Sequence, residues 1–358
     1  MSRVPTLCIS SLRSRWALCL ASLTAGLLFP AIGRATNVVL DTWQDGIRSD
    51  PPPTLTAPFT TTYSEYGVDQ NGDGDIESAW FGSLSGSPAV AALTASPGHL
   101  LMSNSYNGTN TAGSSSYTTY FTPGGTAINL ANPGDFLKVT WAFTPTAAAT
   151  QTNTSQNFRL ALANSGGTRA TGESSPPSAA YTGYAMFMNM SIASPAGGTA
   201  NLGNSAPFQL KRRTATTVTD LLSTGGNWGT NLANGATSGT HGFDTGVQYT
   251  FTMLATRNAL NGIDFDVETN GGTTLNGTGQ EKILFTDATP GATGGFTFDT
   301  FGLRPSSSAT TADLFDTTLF QVETNAQLVP TVPEPASLAL FGFGALAGLV
   351  AYRRRIVA

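Results

Sequence analysis

Short runs in which apolar and polar residues alternate fill most of this chain. In the segment DFLKVTWAF, residues 135–143, every second side chain from Leu137 to Phe143 is apolar. Successive side chains of a β-strand point to opposite faces, so this spacing predicts a strand with one apolar face. Four further runs have the same spacing: Phe158, Leu160 and Leu162; Tyr184, Met186, Met188 and Met190; Tyr249, Phe251 and Met253; Ile263, Phe265 and Val267.

The residues between these runs are mostly Gly, Asn, Ser, Thr and Pro, and no amphipathic helix pattern lies among them. Charged residues make up 11% of the chain, against about 25% in an average globular protein, so the surface is polar and rich in turns. Many half-buried strands separated by turns predict an all-β fold, an antiparallel two-sheet jelly-roll sandwich. No fixed repeat length appears, which argues against a propeller or a solenoid.

The body of the chain is acidic and contains no cysteine. Residues 36–333 contain ten Lys and Arg against twenty-one Asp and Glu, a net charge of −11. A surface without a basic patch does not attract phosphates, so nucleic acid is excluded as a partner. The only two cysteines, Cys8 and Cys19, precede this region, so disulfides, thiolate catalysis and cysteine-bound zinc are excluded from it.

The first 35 residues have the order of a secretory signal peptide. Arg3, Arg13 and Arg15 precede or enter an apolar run that ends near residue 29, and small residues then lead to Ala35. We expect a signal peptidase to cleave after Ala35. A retained N-terminal anchor is the alternative, although the apolar run is short for a membrane span.

The C-terminal end of the chain has the features of a membrane anchor. Residues 336–352 contain no charged side chain, and Arg353, Arg354 and Arg355 follow them. Seventeen residues are the lower limit for a helix that crosses a hydrocarbon core of about 30 Å. Because positive charges stay on the cytoplasmic side, the body is expected outside the inner membrane and the tail, residues 353–358, inside.

Pro333, Glu334 and Pro335 stand directly before this predicted transmembrane helix. The two prolines restrict the backbone to extended conformations, so Glu334 is presented on a stiff segment that a processing enzyme can reach. The segment from Val332 to the end resembles the PEP-CTERM sorting signal of Gram-negative bacteria. The resemblance implies recognition by an inner-membrane exosortase, cleavage near the motif and transfer to the cell surface or extracellular matrix. A plain single-pass anchor is the alternative.

The body also resembles a known type of domain. Its features follow one another in the order of concanavalin-like jelly-roll domains from surface proteins that carry this sorting signal. The resemblance implies a fold and no particular activity. It rests on these segments: Asp41-Thr42-Trp43, Glu77-Ser78-Ala79-Trp80-Phe81, Asn157 to Leu162, Tyr181-Thr182-Gly183-Tyr184 and Lys211-Arg212-Arg213.

The segment VDQNGDGDIESAW, residues 68–80, has part of the pattern of an EF-hand calcium loop. Counting from Asp69, oxygen ligands stand at the required spacing and Gly74 stands at the sixth position, but the twelfth position is Trp80 instead of a bidentate Glu. The segment is therefore not an EF-hand. It still predicts a structural calcium site if the fold supplies a further ligand, for which we expect Asp316; a solvated acidic turn is the alternative. The predicted ligands are Asp69, Asn71, Asp73, Asp75 and Asp316.

Three carboxylates alternate in Asp264-Phe265-Asp266-Val267-Glu268. A strand places all three on one face, with neighbours about 6.6 Å apart, near the spacing used in glycoside hydrolysis. The segment resembles the Glu-x-Asp-x-Glu strand of laminarinase-like glycoside hydrolases. By that resemblance Asp266 and Glu268 match the orienting residue and the acid, whereas Asp264 is shorter than the nucleophile. An acidic, solvated strand is the other interpretation.

A carbohydrate-binding module needs only an exposed aromatic ring and polar neighbours. Trp228 stands in the glycine-flanked segment GGNWGTN, residues 225–231, so we expect it to be exposed and to stack on a sugar ring, with Asn227 and Asn231 binding hydroxyls. Weaker candidates are Trp80, Tyr117 and Tyr120, and the pair Arg212 and Arg213 is a candidate for acidic polysaccharide. His99 and His241 are the only histidines and lack a zinc or triad motif.

The sequence therefore predicts a non-catalytic, exported bacterial surface or matrix protein that associates weakly with a glycan or exopolysaccharide. The alternatives are a laminarinase-like glycoside hydrolase or polysaccharide lyase, and a purely structural matrix protein. The predicted organisation is a signal peptide at residues 1–35, a jelly-roll domain at 36–325, a linker at 326–335, a transmembrane helix at 336–352 and a cytoplasmic basic tail at 353–358.

Overall fold

The computed structural model describes most of the predicted body. The described residues are 34–48, 64–84, 93–104, 115–148, 156–170, 172–190, 208–214, 221–222, 226–235, 242–306 and 310–330. The signal peptide before residue 34, the Pro-Glu-Pro motif, the predicted transmembrane helix and the basic tail lie outside these ranges. Within the ranges, no helix is both long enough and apolar enough to cross a membrane.

The described residues contain eighteen strands. In chain order they are β1 (Thr36–Asp41), β2 (Trp80–Leu84), β3 (Leu93–Ser96), β4 (His99–Ser103), β5 (Ser115–Tyr120), β6 (Thr126–Asn129), β7 (Phe136–Thr146), β8 (Phe158–Asn164), β9 (Thr182–Met188), β10 (Phe208–Arg212), β11 (Thr230–Asn234), β12 (Tyr249–Arg257), β13 (Ile263–Asn270), β14 (Gln280–Asp287), β15 (Thr297–Phe298), β16 (Thr300–Pro305), β17 (Leu314–Thr324) and β18 (Gln327–Pro330). Helical structure in these ranges is limited to short turns at Ser178–Ala180, Gly226–Trp228, Leu275–Gly277 and Gly291–Gly294.

Two large antiparallel sheets form a sandwich. The eight-stranded sheet has the order β14-β13-β12-β7-β17-β4-β3, with β1 also paired to β17, and the seven-stranded sheet has the order β11-β10-β9-β8-β16-β5-β2. A small sheet of β15, β6 and β18 lies beside them. The predicted all-β, two-sheet jelly-roll fold is confirmed. Because β18 pairs with β6, ordered strand structure continues to Pro330, five residues into the region that the sequence assigns to the linker.

The alternating runs form the inner faces of the two sheets. Leu137, Val139, Trp141 and Phe143 of β7 are fully buried between the sheets, as the period of two predicts. Trp141 stacks on Phe143 with ring centroids 4.0 Å apart, and Phe158 of the opposite sheet stacks on Phe315 at 5.3 Å. Aromatic pairs of this kind add to the free energy gained by burying their area, so the centre of the sandwich is fixed by rings from both sheets.

The seven-stranded sheet is covered on both faces. In β8, Leu160 and Leu162 face the sandwich core, while Ala161 and Ala163 belong to a second apolar cluster on the outer face. The second cluster, which we call the outer cluster, consists of Phe81, Tyr120, Ala161, Ala163, Ala170, Tyr181, Ala185, Phe187, Leu221, Leu222 and Trp228. Chain segments between strands therefore fold over this sheet and leave the eight-stranded sheet as the one with a solvated outer face.

Between β1 and β2 the chain passes from the eight-stranded sheet to the seven-stranded sheet. An isolated bridge pairs Leu40 with Ile76, which directly follows the acidic segment at residues 69–75. The carboxylate of Asp41 accepts hydrogen bonds from the backbone and hydroxyl of Ser78 at 2.9 and 2.7 Å. Burial raises the pKa of Asp41 from 3.8 to about 7, against the opposing effect of these bonds. The loop after β1 and the segment before β2 are thus held side by side.

Candidate functional site

An open groove of about 360 Å³ lies on the solvated face of the eight-stranded sheet, over β12, β13 and β14. Its side chains come from alternate positions of these strands, because the other positions fill the core. In strand register they form two rows across the sheet: Leu254, Asp266 and Leu284 in one, and Thr256, Asp264 and Thr286 in the next. Leu284 is 69% exposed, so the groove offers apolar surface, hydroxyls and carboxylates together.

The three carboxylates predicted from the sequence lie on this one face. Asp264 accepts hydrogen bonds from the hydroxyl of Thr286 at 2.7 Å and from the amide of Asn258 at 3.0 Å. Asp264 is thereby fixed in orientation at one end of the groove, where it faces solvent.

Lys282 neutralises part of the charge of the other two carboxylates. Its Nζ atom lies 2.9 Å from Oδ1 of Asp266 and 3.3 Å from Oε2 of Glu268. The hydrogen bond to Asp266 is the largest contribution that raises the pKa of Lys282. Glycoside hydrolysis uses one carboxyl group as an acid and another as nucleophile or base on opposite sides of the scissile bond. Here Lys282 forms ion pairs with two carboxylates on the same strand. This arrangement holds polar side chains in place on the sheet surface and does not place two carboxyl groups on opposite sides of a substrate bond.

The prediction that Trp228 is an exposed stacking platform is wrong. Its side chain is 3% exposed and belongs to the outer cluster. The indole Nε1 donates a hydrogen bond of 2.7 Å to the carbonyl of Leu221, and the guanidinium of Arg213 lies 5.5 Å from the ring. Gly226–Trp228 forms a short helical turn that places the ring against the outer face of the seven-stranded sheet. The ring is buried because this face is covered as well.

The polar neighbours of Trp228 differ from each other. Asn227 is buried, and its backbone carbonyl accepts a hydrogen bond from the N–H of Thr214, so it is not available to a sugar. Asn231 is exposed on β11, where its amide donates to Asn234 at 3.0 Å. Trp228 and Asn227 are therefore corrected from ligand-binding to structural residues.

The remaining binding candidates are also part of the fold. Trp80, Tyr117 and Tyr120 are buried. Arg212 forms an ion pair with Asp287 at 2.8 Å. Arg213 is fully buried and donates to the carbonyls of Leu221 and Ser178 at 3.2 and 2.8 Å. The arginine pair therefore does not present two free cations to an acidic polysaccharide.

The acidic segment at residues 69–75 uses most of its side-chain oxygens on its own backbone or on the loop after β1. Asp69 accepts from the N–H groups of Gly72 and Gly74 at 2.6 and 3.0 Å. Asp75 is buried and accepts from the backbone and hydroxyl of Thr42 and from the backbone of Gln44. The carboxylate of Asp75 therefore holds the loop after β1 in place and does not point toward the other predicted calcium ligands.

Two of the other predicted ligands also have identified partners. Asn71 accepts from the N–H of Asp73 at 3.0 Å. Asp316 lies on β17, where its Oδ1 is 2.8 Å from Nδ1 of His99. Of the five predicted ligands, Asp73 is the one that approaches further carboxylates, those of Asp45 and Glu77.

Sequence reasoning missed Lys282, Asp45 and Glu77. Lys282 lies directly opposite Glu268 on the neighbouring strand, a pairing that becomes visible only once β13 and β14 are aligned. Glu77 stands at the ninth position counted from Asp69, a position that in a calcium loop often binds through water, so the spacing offered a signal for it; Asp45 lies in a different segment. Asp45 and Glu77 come together only because the loop after β1 contacts the segment before β2.

The fold and the C-terminal end together define an exported β-sandwich with a sorting signal. Residues 331–355 match the PEP-CTERM protein-sorting motif. The chain therefore carries this signal, which implies export, a membrane-anchored intermediate and processing by an exosortase. No curated protein sequence matches the chain.

Several solved structures are similar to the chain at low sequence identity. The Emp47p carbohydrate recognition domain has 10% identity and a TM-score of 0.39, and the match covers 68% of this chain and 87% of that one. The calcium-bound exoplasmic/lumenal domain of VIP36 has 11% identity and a TM-score of 0.36, with 68% and 82% covered. Arcelin-5, a lectin-like defense protein from Phaseolus vulgaris, has 10% identity and a TM-score of 0.35, with 70% and 93% covered.

Proposed function

We propose that the protein is a non-catalytic component of the cell surface or extracellular matrix of a Gram-negative bacterium, and that its sandwich binds a neutral glycan in the groove over β12, β13 and β14. The sorting motif supports the location. The groove supports the binding, because apolar surface, hydroxyls and carboxylates adjoin there on a solvent-exposed face.

The two rows of the groove match the chemistry of a sugar ring. The exposed Leu284 and Leu254, which flank Asp266 in the same row, offer apolar contact to the C–H face of a pyranose, and Asp264 with the threonines of its row offers hydrogen bonds to hydroxyls. Ordered carboxylates bind hydroxyls more strongly than neutral acceptors do. Such a site uses few, well-placed polar groups on an apolar floor.

The charge of the groove indicates which glycans it binds. Asp264 and Asp266 line the groove, Lys282 forms ion pairs with Asp266 and Glu268, and the surrounding body has an excess of eleven negative charges. Like charges across an interface are unfavourable. We therefore expect neutral polysaccharides to bind and uronic-acid or sulfated polymers to be rejected.

The same proposal includes a structural calcium ion and no catalytic metal. The acidic segment supplies oxygen donors, the ligands that Ca²⁺ prefers, and it shares no residue with the groove. A metal at this crossing between the sheets would stabilise the fold without reaching a substrate in the groove.

A glycan array with the exported chain tests the binding proposal. Leu284→Ala and Asp264→Asn each remove one contact from a solvated surface, so each should weaken binding about tenfold, the equivalent of roughly 1.4 kcal/mol. Leu260→Ala is the matched control, because Leu260 is 88% exposed outside the groove. Equal loss in Leu284→Ala and Leu260→Ala, or no neutral glycan bound by the wild type, would refute the proposal.

The same samples separate the two alternatives. Release of reducing sugar by the wild type and its loss in Glu268→Gln would identify a glycoside hydrolase. Absence of both binding and hydrolysis would leave a structural matrix protein.

A further inference from the structure

Three carboxylates from two separate segments converge at the crossing between the sheets. Asp45 lies in the loop after β1, and Asp73 and Glu77 lie in the segment before β2. One oxygen of each lies within 4.8 Å of an oxygen of each of the others. Asp73 comes twenty-eight positions after Asp45 in the sequence, so the fold, and not local sequence, places these groups together.

Each of the three carboxylates has one oxygen that stabilises its own segment. Oδ1 of Asp45 accepts from the N–H of Ile47 at 2.7 Å, and Oδ1 of Asp73 accepts from the N–H of Asp75 at 2.9 Å. Oε1 of Glu77 accepts from the side-chain amide of Asn71 at 3.3 Å. These bonds fix the orientation of all three carboxylates.

The second oxygen of each carboxylate is shielded from solvent and lacks a hydrogen-bond partner among the described residues: Oδ2 of Asp45, Oδ2 of Asp73 and Oε2 of Glu77. Glu77 is the most demanding case, because the residue is only 2% exposed. A buried polar group without a partner costs free energy, and a buried charge costs more. Three converging carboxylates, each with one shielded oxygen that lacks a partner, indicate a binding site for a positively charged ligand.

The surrounding groups do not compensate this charge. None of the ion pairs found among the described residues includes Asp45, Asp73 or Glu77. A fourth carboxylate, Glu65, is buried next to them and accepts from the N–H of Glu77 at 3.2 Å. A cation at this point would relieve both the burial and the repulsion.

We propose that Asp45, Asp73 and Glu77 bind one calcium ion that joins the loop after β1 to the segment before β2. The donors are all oxygen, which selects a hard cation. Calcium–oxygen distances of about 2.3 to 2.6 Å allow ligand oxygens to stand up to about 5 Å apart across the ion, which accommodates three oxygens that lie within 4.8 Å of one another. Backbone carbonyls and water complete a shell of six to eight.

The site has a structural role because of where it lies. β1 belongs to the eight-stranded sheet and β2 to the seven-stranded sheet. A calcium ion between the segments that follow and precede these strands fastens one sheet to the other at the edge of the core. In a body without cysteine, it takes the place that a disulfide holds in many exported proteins. This inference does not depend on the groove or on the glycan.

Isothermal titration of the chelator-treated, exported chain with calcium chloride tests the site, together with thermal unfolding. We expect saturable binding and, at a calcium concentration of 100 times Kd, an increase in Tm of about 5 to 10 °C. Glu77→Gln and Asp73→Asn should abolish both effects. Because Glu77→Gln replaces a buried carboxyl group beside Glu65 with a neutral amide of nearly the same size, its Tm without calcium should equal or exceed that of the wild type.

Two matched variants remove neighbouring predicted ligands that the structure directs elsewhere. Asp69→Asn and Asp316→Asn should retain calcium binding and the calcium-dependent rise in Tm, even if their baseline stability differs. The inference is overturned if the wild type does not bind calcium, or if Glu77→Gln and Asp73→Asn bind it as the wild type does. It is also overturned if loss of binding follows Asp69→Asn or Asp316→Asn instead.

Discussion

Trp228 provides the most direct test of how the seven-stranded sheet is covered. Replacement by alanine removes a nearly buried indole from the outer cluster and the hydrogen bond from its Nε1 to the carbonyl of Leu221. A buried tryptophan removes about 150 to 250 Å² from water, worth about 4 to 6 kcal/mol at about 25 cal/mol per Å². Partial collapse of the cavity lowers this figure, and large-to-small changes of this type cost about 3 to 5 kcal/mol.

We therefore expect Trp228→Ala to lower the free energy of unfolding by about 4 kcal/mol. Trp228→Phe keeps most of the ring contact with Phe187 and Arg213 and loses the N–H donor. It should cost about 1 to 2 kcal/mol, because Arg213 still donates to the carbonyl of Leu221. Urea unfolding followed by circular dichroism measures both values from the midpoint at constant slope.

Glycan binding by the folded variants separates a structural role from a ligand-binding role. Under conditions where each variant is folded, Trp228→Ala and Trp228→Phe should bind as the wild type does. Two results together would refute the buried placement of the ring: an unfolding free energy of Trp228→Ala within about 1 kcal/mol of the wild type, and loss of glycan binding in the same variant. The ring would then be an exposed platform for a sugar.

Two further predictions concern pH and processing. Burial raises the pKa of the Glu281 carboxyl from 4.5 to about 8, so the folded chain keeps a proton that the unfolded chain loses. The stability from this group is fully present below about pH 4.5 and is lost as pH rises through about 8. Denaturant unfolding should show that the free energy of unfolding decreases by a few kcal/mol, as an order of magnitude, across this range. The decrease should be smaller in Glu281→Gln, in which Asp41 with its raised pKa still contributes; equal decreases in the two proteins would contradict the prediction. Replacing Pro333 and Pro335 by alanine should leave the chain uncut in the inner-membrane fraction, and normal surface delivery of this variant would contradict the role of the stiff motif.

The sheet structure could be predicted from the sequence because an alternating run depends only on its own residues. Leu137, Val139 and Trp141 are buried as the pattern indicates. The pattern identifies one apolar face and gives no information about whether loops cover the other. Ala161 and Ala163 on the outer face of β8 are small, so their burial in the outer cluster has no signal in the alternation, and the exposure expected for Trp228 failed for this reason.

The candidate sites were predictable to different degrees for a related reason. Asp264, Asp266 and Glu268 share a strand, so the period of two alone places them on one face, as the structure has them. The converging carboxylates come from two loops, and the sequence identified only Asp73. A short motif reports only the spacing of residues within one segment. Asp45 comes close to Asp73 and Glu77 because the loop after β1 lies beside the segment before β2.

The pairing of β1 with β17 has a consequence for the order of events during export. Thr36 stands opposite Thr324, so the first strand of the body cannot find its partner until nearly the whole body has crossed the membrane. Contacts between such distant parts of a chain form slowly, because a long loop must close first. Completion of the large sheet therefore waits for β17, which lies close in sequence to the sorting motif at residues 331–355.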